Sequence, residues 1–333
     1  PRGVKPRPTR IAPMHAVYVS QASPDDPLAA LEVGPRPNPQ AGDGFSRVRV
    51  KAASLNHHDV WSLRGVGLPP ERMPMILGTD AAGVTDDGRE VVVHSVISSP
   101  EWQGDETLDP KRSLLSERHQ GAMAEYVVVP ERNLVAKPPE LTFEEASCLP
   151  TAWLTAYSML GKAGVEAGDT ILVQGCSGGV AQAAIALGRA AGLRVWATGR
   201  TEAKRSLAID LGADEVFEHG ARLPERVDAV IESVGEATWS HSLKSLRPGG
   251  AVVVCGATSG PNPPAALSRV FFLQLRILGS TMGRRDQLYE LLRVMVEGGV
   301  RPRIDRVLSL RDAREGFEAV VHGDLSGKVV LVP

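Results

Sequence analysis

The sequence predicts an α/β protein that has a doubly wound parallel sheet and a second, β-rich domain resembling a barrel. From about Thr142 onward, strand-like and helical segments alternate, and parallel strands need such crossovers. Before Thr142, short strands and Gly/Pro turns dominate and long helices are few. With 333 residues, of which 43% are hydrophobic, the chain can form two domains that each have a core.

Composition limits both the partners and the compartment. The net charge of −2 provides no basic field for nucleic acid or for an anionic membrane. No apolar segment approaches the ~20 residues that a membrane span requires. The cysteines Cys148, Cys176 and Cys255 are far apart in the sequence, so we expect reduced thiols in a cytoplasmic protein.

Residues 1–13 are predicted to form a flexible tail. They are rich in proline and in basic residues, and they have no apolar face to bury. They also lack the apolar core of a secretory signal. The folded unit is therefore expected to begin at Met14, where the strand-like segment His15–Val19 follows.

The β-rich domain is predicted from strand patterns on both sides of the α/β region. Residues Phe45–Val50 alternate in polarity, as a half-buried strand does. Further strands are predicted at Glu90–His94, Ala124–Val129, Val307–Ser309 and Lys328–Val332. The last two follow a predicted helix over Arg285–Glu297 and are expected to return to this domain. It would then comprise residues 14–140 and 284–333, and residues 141–283 would form the inserted α/β domain.

The α/β domain is predicted to begin at a capping box. Thr142 is the N-cap of a helix, and Glu145 stands three residues later. The six predicted strands that follow are Thr170–Val173, Arg194–Thr198, Glu215–Phe217, Ala229–Ser233, Ala251–Cys255 and Arg276–Leu278.

A glycine-rich segment from Gly175 to Ala181 follows the first of these strands and precedes an apolar helical segment. Glycines there allow a tight turn and a close approach to a pyrophosphate, which the helix N-terminus binds. The spacing has one residue more than the G-x-G-x-x-G pattern. We interpret it as a dinucleotide-binding turn, and the alternative is a purely structural turn. The candidate contacts are Ser177, Gly178, Gly179 and Val180.

The end of the second strand indicates which cofactor would bind. Sites for NAD usually carry Asp or Glu there, whereas this sequence has Gly199, which leaves room and causes no repulsion. Arg200, Thr201 and Lys204 follow, and a guanidinium matches a phosphate with a fork of donors. The sequence therefore predicts NADPH/NADP. The alternative is that Lys204 and Arg205 are solvated helix residues.

Five motifs, together with the glycine-rich turn, resemble landmarks of the medium-chain dehydrogenase/reductase superfamily. They are Leu55–Val60, Leu77–Gly83, Gly121–Tyr126, Leu154–Tyr157 and Leu278–Gly283. The resemblance extends from about Met14 to Pro333 and favours the zinc-less quinone oxidoreductase and enoyl reductase branch. It implies a Rossmann nucleotide-binding domain and a GroES-like catalytic domain.

The resemblance also suggests where a metal would be held. Zinc alcohol dehydrogenases of the superfamily use Cys, His and Cys ligands. The matching positions here are Asn56, Thr79 and Thr151, with nearby Cys148 as an alternative to Thr151. An amide and two hydroxyls are poor zinc ligands, and residues 98–118, which match the structural-zinc lobe, contain no cysteine. The sequence predicts no metal. The alternative is an improvised site that combines His57, His58 or His94 with Asp59 or Asp80.

Without a metal, an activated acceptor such as an enone, an enal, an enoyl thioester or a quinone is the easier substrate. Its developing enolate needs hydrogen-bond donors and later a proton. The resemblance places Asn56 beside nicotinamide and substrate, and Thr155 near the nicotinamide. Asn56 would donate through its amide, and the alternative for it is a turn residue. Candidate proton donors are His57, His58, Asp59 and His94, and the alternative for the histidines is a surface or core position.

Further cofactor contacts are implied at the carboxyl ends of later strands. They are Ser233, Val234, Gly256, Ala257, Met282 and Gly283. Lys328 matches a near-terminal lysine of the family, whose role could be structural alone. The segment Leu273–Ser280 resembles the edge strand through which relatives form homodimers.

The sequence thus predicts a zinc-independent, NADPH-dependent oxidoreductase that transfers hydride to an activated C=C bond or to a quinone. Its partner is a small-molecule substrate, and no nucleic acid or membrane is involved. Some enoyl reductases carry a Tyr shortly after Asn-x-x-Asp. The matching segment Gly65–Pro69 has none, which disfavours an enoyl thioester. Two alternatives are a zinc-independent carbonyl reductase or alcohol dehydrogenase of a biosynthetic pathway, and a non-catalytic NADPH-binding protein.

Overall fold

The computed structural model describes residues 12–333. The predicted tail over residues 1–13 therefore lies outside the described residues, apart from Ala12 and Pro13, which are exposed and irregular. Across the described range, no helix combines the length and the apolar character needed to cross a membrane.

The first part of the chain forms a β-rich domain. Its strands are β1 (Met14–Val19), β2 (Glu32–Arg36), β3 (Phe45–Ser54), β4 (Met75–Ile76), β5 (Ala82–Thr85), β6 (Glu90–Val93), β7 (Val96–Ile97), β8 (Ser113–Leu114), β9 (Tyr126–Pro130) and β10 (Leu134–Ala136). One sheet has the order β2-β1-β4, and β7 pairs with β8. The strand predicted over Ala124–Val129 begins only at Tyr126, and the one predicted to reach His94 ends at Val93.

The second part forms a parallel sheet of six strands. These are β11 (Thr170–Val173), β12 (Arg194–Gly199), β13 (Glu215–Glu218), β14 (Val227–Glu232), β15 (Leu246–Val254) and β16 (Arg276–Gly279). Their order is β13-β12-β11-β14-β15-β16, which is the order of the doubly wound Rossmann sheet. Only the start of β15, at Leu246 rather than Ala251, differs by more than two residues from the prediction.

The chain then returns to the β-rich domain, as expected. Strands β17 (Ile304–Ser309) and β18 (Lys328–Val332) are parallel to each other, and β18 pairs with β3. The resulting sheet has the order β10-β6-β5-β3-β18-β17, with β9 also paired to β3. This return brings Lys328, at the start of β18, close to the loop that follows β3.

The helices cover the sheets and connect the two domains. They are α1 (His57–Leu63), α2 (Phe143–Ser147), α3 (Leu154–Ala163), α4 (Gly179–Ala190), α5 (Glu202–Asp210), α6 (Glu236–Ser245), α7 (Leu267–Phe272), α8 (Arg285–Glu297) and α9 (Ala313–His322). Helix α1 was not among the predicted elements. Helix α8 has the predicted bounds, and its Leu288, Leu291 and Met295 join the core beneath the six-stranded sheet. The domain boundary at residues 283–284 stays a prediction.

Helix α2 begins at the predicted capping box. Thr142 Oγ1 accepts the N–H of Glu145 at 3.1 Å, and Glu145 Oε2 accepts the N–H of Thr142 at 2.9 Å. A π-helical turn, Leu149–Trp153, then joins α2 to α3. Such turns are rare and frequently occur at functional sites. This one places the Thr151 hydroxyl 2.9 Å from that of Thr79 in the β-rich domain.

Candidate active site

The glycine-rich turn joins β11 to α4. Gly175 has a φ of +72°, and a Cβ at this position would lie 2.8 Å from Val234 Cγ2. Gly178 is the N-cap of α4, and a Cβ there would meet no atom within 4 Å. The backbone is therefore tightly turned at the first glycine and open to a ligand at the second.

The start of α4 provides the groups that bind a phosphate. The first N–H groups of a helix, here from Gly179 and Val180, have no acceptor within the helix. The turn is held in place because Gln182 Nε2 donates to the carbonyl of Ser177 at 2.8 Å. These predicted contacts therefore lie together at the carboxyl end of β11.

Gly199 ends β12 in a confined space. A Cβ on it would lie 2.8 Å from Cys176 Sγ and 3.0 Å from Arg205 Cγ. Arg205 is not merely solvated, because its guanidinium donates to the carbonyl of Gly199 at 3.0 Å and faces Glu218 at 3.6 Å. Any side chain at this position would therefore require Cys176 or Arg205 to move.

Two basic side chains next to Gly199 have no partner among residues 12–333. Arg200 is exposed and Lys204 is half-buried. Within residues 12–333, neither side chain makes a hydrogen bond or an ion pair, whereas Thr201 Oγ1 caps α5 by accepting the N–H of Lys204. Two cations are thus available for an anion at the end of β12.

A buried carboxylate fixes the turn after β14. Glu232 accepts the N–H groups of Val234 at 2.8 Å and of Gly235 at 3.1 Å. Beside this turn, a Cβ on Gly256 would lie 3.0 Å from the carbonyl of Ser233. The predicted contacts Ser233, Val234, Gly256 and Ala257 therefore lie at the same sheet edge as the glycine-rich turn.

The loop after β16 contacts both domains. Met282 has a φ of +51°, and its sulfur lies 4.0 Å from Thr155 Oγ1. His94 is buried, and its Nε2 lies 2.9 Å from the carbonyl of Gly283. The positive φ of Met282 is a strained backbone conformation, and such strain is often found at functional sites. Burial lowers the pKa of His94, so the neutral ring donates to Gly283 and connects the domains.

The three residues at the metal-ligand positions lie together, hydrogen-bonded to one another. Asn56 Nδ2 donates to Thr79 Oγ1 at 3.2 Å and to Asp80 Oδ2 at 2.7 Å. The hydroxyl oxygens of Thr79 and Thr151 are 2.9 Å apart. Lys328 Nζ donates to Asn56 Oδ1 at 2.6 Å and lies 3.8 Å from Asp80 Oδ2. A buried cation thus contacts the residue that replaces the first ligand.

Cys148 is not the third residue of this group. Its thiol is fully buried and donates to the carbonyl of Glu144 at 3.3 Å. Burial raises its pKa to about 12, and its hydrogen bond goes to Glu144 rather than to Asn56 or Thr79. Thr151, which contacts Thr79, is therefore the candidate that lies together with Asn56 and Thr79, and its match to the third ligand stays a prediction.

These donors do not fit zinc. Asn56 directs its N–H groups toward Thr79 and Asp80, and its oxygen already accepts from an ammonium group. An ammonium 2.6 Å from the only amide oxygen would repel a dication. Nowhere in residues 12–333 do three or more His, Cys, Asp or Glu side chains form a group that could hold a metal ion.

The predicted proton donors have different surroundings. His58 Nε2 lies 3.3 Å from Glu117 Oε1, which ties it to a carboxylate. His57 is at the start of α1 and has no hydrogen-bond partner among the described residues. Its pKa is lowered, first by desolvation and then by the charges of Lys328 and Arg64. Of the three histidines, His57 is the one whose ring is free beside the site.

Asp59 is fully buried below Asn56. Its carboxylate accepts the N–H of Asn56 at 2.8 Å and that of Gly78 at 3.0 Å. Burial raises its pKa to about 6. Because both oxygens hold backbone groups, the geometry gives Asp59 a positioning role, and proton transfer by it stays an untested prediction.

Sequence reasoning considered Asp80 only as an alternative metal ligand and Lys328 only as a match to a family lysine, whereas the structure places both beside Asn56. Both are buried, and Ser54 Oγ donates to Asp80 Oδ2 at 2.8 Å. One signal was available in the sequence. Lys328 begins the otherwise apolar strand Lys328–Val332, and a lysine is rarely buried without a partner.

The sequence matches two protein families, and together the matches cover both domains. Residues 42–139 match the family described as alcohol dehydrogenase GroES-like domain, and residues 179–297 match the one described as zinc-binding dehydrogenase.

Individual relatives extend the similarity over most of the chain. A 2-methylene-furan-3-one reductase of Solanum lycopersicum is 32% identical over 296 residues, which is 86% of this chain and 71% of the relative. A quinone oxidoreductase of Lama guanicoe is 28% identical, over 86% of this chain and 88% of the relative. A solved structure of an NAD-dependent alcohol dehydrogenase superposes with a TM-score of 0.89 at 36% identity, and covers 96% of this chain and 100% of that one.

Proposed function

The chain belongs to the medium-chain dehydrogenase/reductase superfamily of oxidoreductases, and on that premise we propose that it is a zinc-independent, NADPH-dependent reductase of an activated C=C bond or a quinone. The hydrogen-bonded group of Asn56, Thr79 and Thr151, with Lys328 beside it, carries this proposal. It replaces the ligands of a catalytic zinc with groups that suit an oxygen atom bearing partial negative charge.

The proposal that NADPH is the cofactor rests on residues at the carboxyl edge of the six-stranded sheet. The turn at Gly178 leaves room for a pyrophosphate, and when bound there, NADPH would supply the hydride. Arg200 and Lys204 would hold its 2′-phosphate, because they are the basic side chains without partners beside Gly199. Thr155 and Met282 would border the nicotinamide, as the family resemblance implies.

The substrate class follows from the missing metal site. A simple alcohol or ketone needs strong polarisation, whereas an enone, an enal or a quinone is already activated. The names of the relatives favour this class, since 2-methylene-furan-3-one is itself a conjugated enone. His57, whose ring is free beside the site, is the candidate for returning a proton to the product.

A second candidate function is a zinc-independent alcohol dehydrogenase or carbonyl reductase. The structural neighbour with 36% identity is named as an NAD-dependent alcohol dehydrogenase. This candidate requires turnover of a simple alcohol or ketone by a chain whose metal positions hold an amide and two hydroxyls. A non-catalytic NADPH-binding protein would bind the cofactor without any turnover.

Cofactor oxidation with a panel of acceptors distinguishes these functions. We expect NADPH oxidation with enones or quinones, little with simple ketones, and no loss of rate after dialysis against a chelator. Metal analysis of the purified protein should find far less than one zinc per chain. Stoichiometric zinc, or turnover restricted to simple alcohols and ketones, would contradict the proposal, and tight NADPH binding without turnover would favour the non-catalytic alternative.

A further inference from the structure

Four side chains at the site form a chain of hydrogen bonds whose direction their chemistry determines. Lys328 Nζ can only donate, and Asn56 Oδ1 accepts from it at 2.6 Å. This contact also fixes the orientation of the Asn56 amide, because the flipped amide would place an NH₂ group against the ammonium. Asn56 Nδ2 can only donate, and Thr79 Oγ1 accepts from it at 3.2 Å.

The direction continues through the two hydroxyls. Thr79 is fully buried, so its hydroxyl proton requires an acceptor. Besides Asn56, the only hydrogen-bond neighbour of Thr79 Oγ1 in the part of the chain that the structure describes is Thr151 Oγ1, at 2.9 Å. Thr79 therefore donates to Thr151. The proton of the Thr151 hydroxyl has no acceptor among residues 12–333, and this side chain is only partly buried.

The free end of this chain lies beside the nucleotide turn. A Cβ on Gly179 would lie 3.3 Å from the Cβ of Ala152, the residue that follows Thr151. It would lie 3.6 Å from Lys328 Cδ. The start of α4, the π-helical turn and Lys328 therefore meet at one place, between the proposed cofactor site and the β-rich domain.

We propose that the Thr151 hydroxyl is the hydrogen-bond donor to the carbonyl or quinone oxygen of the substrate, and that Lys328, Asn56 and Thr79 are positioning residues that polarise it. This inference rests on the proposed function. As hydride reaches the acceptor, the π electrons shift onto the oxygen, and Thr151 donates a hydrogen bond to this oxygen without losing its proton. Hydrogen bonds in a chain strengthen one another, and the ammonium of Lys328 supplies the positive charge at the far end.

The main test compares Thr151→Val with Thr151→Ser. Valine has a similar shape but no hydroxyl, so we expect kcat with an enone to fall by about 100-fold or more, as when one such donor is removed elsewhere. Serine keeps the donor and should keep most of the rate. The Kd for NADPH, measured by cofactor fluorescence, should be the same in both variants and in the wild type.

A second variant tests the polarising role of the chain, and a binding measurement tests the donor role of Thr151. Thr79→Val interrupts the chain but leaves the Thr151 hydroxyl, so its loss of kcat should be smaller than that of Thr151→Val. A short aliphatic carboxamide, whose carbonyl resembles the reacting group, should bind the NADPH complex more weakly in Thr151→Val than in Thr151→Ser.

The outcomes separate this inference from the function it rests on. Wild-type turnover together with an equally active Thr151→Val variant would overturn the role of Thr151 and leave the proposed reductase intact. A Thr79→Val variant as active as the wild type would overturn the polarising chain. Absence of wild-type turnover with every acceptor would overturn the proposed function, and this inference with it.

Discussion

Gly199 matters for two reasons: it fits a confined space, and it lacks the acidic side chain that is usual in NAD sites. Its neighbours Cys176 and Arg205 leave no room for a side chain, and Arg205 is held by the Gly199 carbonyl. The lack of an acidic residue, which suggested NADPH from the sequence, therefore has a steric cause as well. The proposed preference for NADPH then depends on the basic residues nearby, and of those beside Gly199 only Arg200 and Lys204 have side chains that make no hydrogen bond or ion pair within residues 12–333.

Replacing Arg200 and Lys204 should weaken the binding of NADPH but not that of NADH. We expect Arg200→Ala with Lys204→Ala to raise the KM for NADPH by about 100-fold or more, because each charge-assisted hydrogen bond contributes roughly 1.5–3 kcal/mol and the double variant removes both. The KM for NADH should change little, since NADH lacks the 2′-phosphate. Steady-state kinetics with both cofactors measure this. Lys244→Ala, on the exposed face of α6, is the control, and equal effects on both cofactors would contradict the assignment.

Asp59 should make stability depend on pH. Because burial raises its pKa to about 6 in the fold, its contribution is fully present below the pKa of the unfolded chain and is lost as the pH rises through about 6. Relative to Asp59→Asn, which cannot ionise, the free energy of unfolding of the wild type should therefore fall by about 2 kcal/mol between pH 4 and 7. Urea denaturation at several pH values measures this. A difference between the two proteins that does not change with pH would show that Asp59 ionises normally.

At the scale of elements, the glycine-rich turn depends on one backbone conformation. Gly175→Ala should destabilise the protein for two reasons, the cost of a positive φ, about 1–2 kcal/mol, and the contact of the new Cβ with Val234. Gly220→Ala is a matched control, since Gly220 has a φ of +77° but no atom within 4 Å of an added Cβ. Urea denaturation should show the larger loss for Gly175→Ala. Equal losses would mean that the contact with Val234 is relieved without cost.

Elements with a clear local pattern were predicted well from the sequence. The capping box at Thr142, the strand over Thr170–Val173 and the helix over Arg285–Glu297 depend on residues close in sequence, and all three are confirmed. Helix α1 was missed, because its seven residues are too few to show a helical period. The π-helical turn at Leu149–Trp153 was not predicted either.

At the scale of the whole molecule, the site depends on contacts that no local pattern contains. Lys328 and Asn56 are 272 positions apart, and they meet only because β18 pairs with β3. Motif matching located Asn56, Thr79 and Thr151 individually. Their hydrogen bonds to one another and to the buried ammonium of Lys328 follow from the fold, because the distances between them depend on how the two domains pack.

The edge of the six-stranded sheet is the surface that we propose for a homodimer. Strand β16 is the last strand of the sheet, and 45% of the surface of Ile277 is exposed. Phe271 and Phe272, on the neighbouring helix α7, are 61% and 77% exposed. An uncovered edge strand with apolar side chains favours pairing with another strand. A second copy of this chain offers the same edge, and two such edges can pair about a twofold axis.

Sedimentation velocity should therefore give twice the mass of one chain, and Ile277→Lys should shift the protein toward the monomer, because it places a charge in the paired edge. Ile209→Lys is the control, since Ile209 is 46% exposed but lies on α5, away from β16. NADPH binding should persist in the monomeric variant, because every candidate cofactor contact comes from one chain. A monomeric wild type, or equal dissociation by both substitutions, would show that this edge is not the interface.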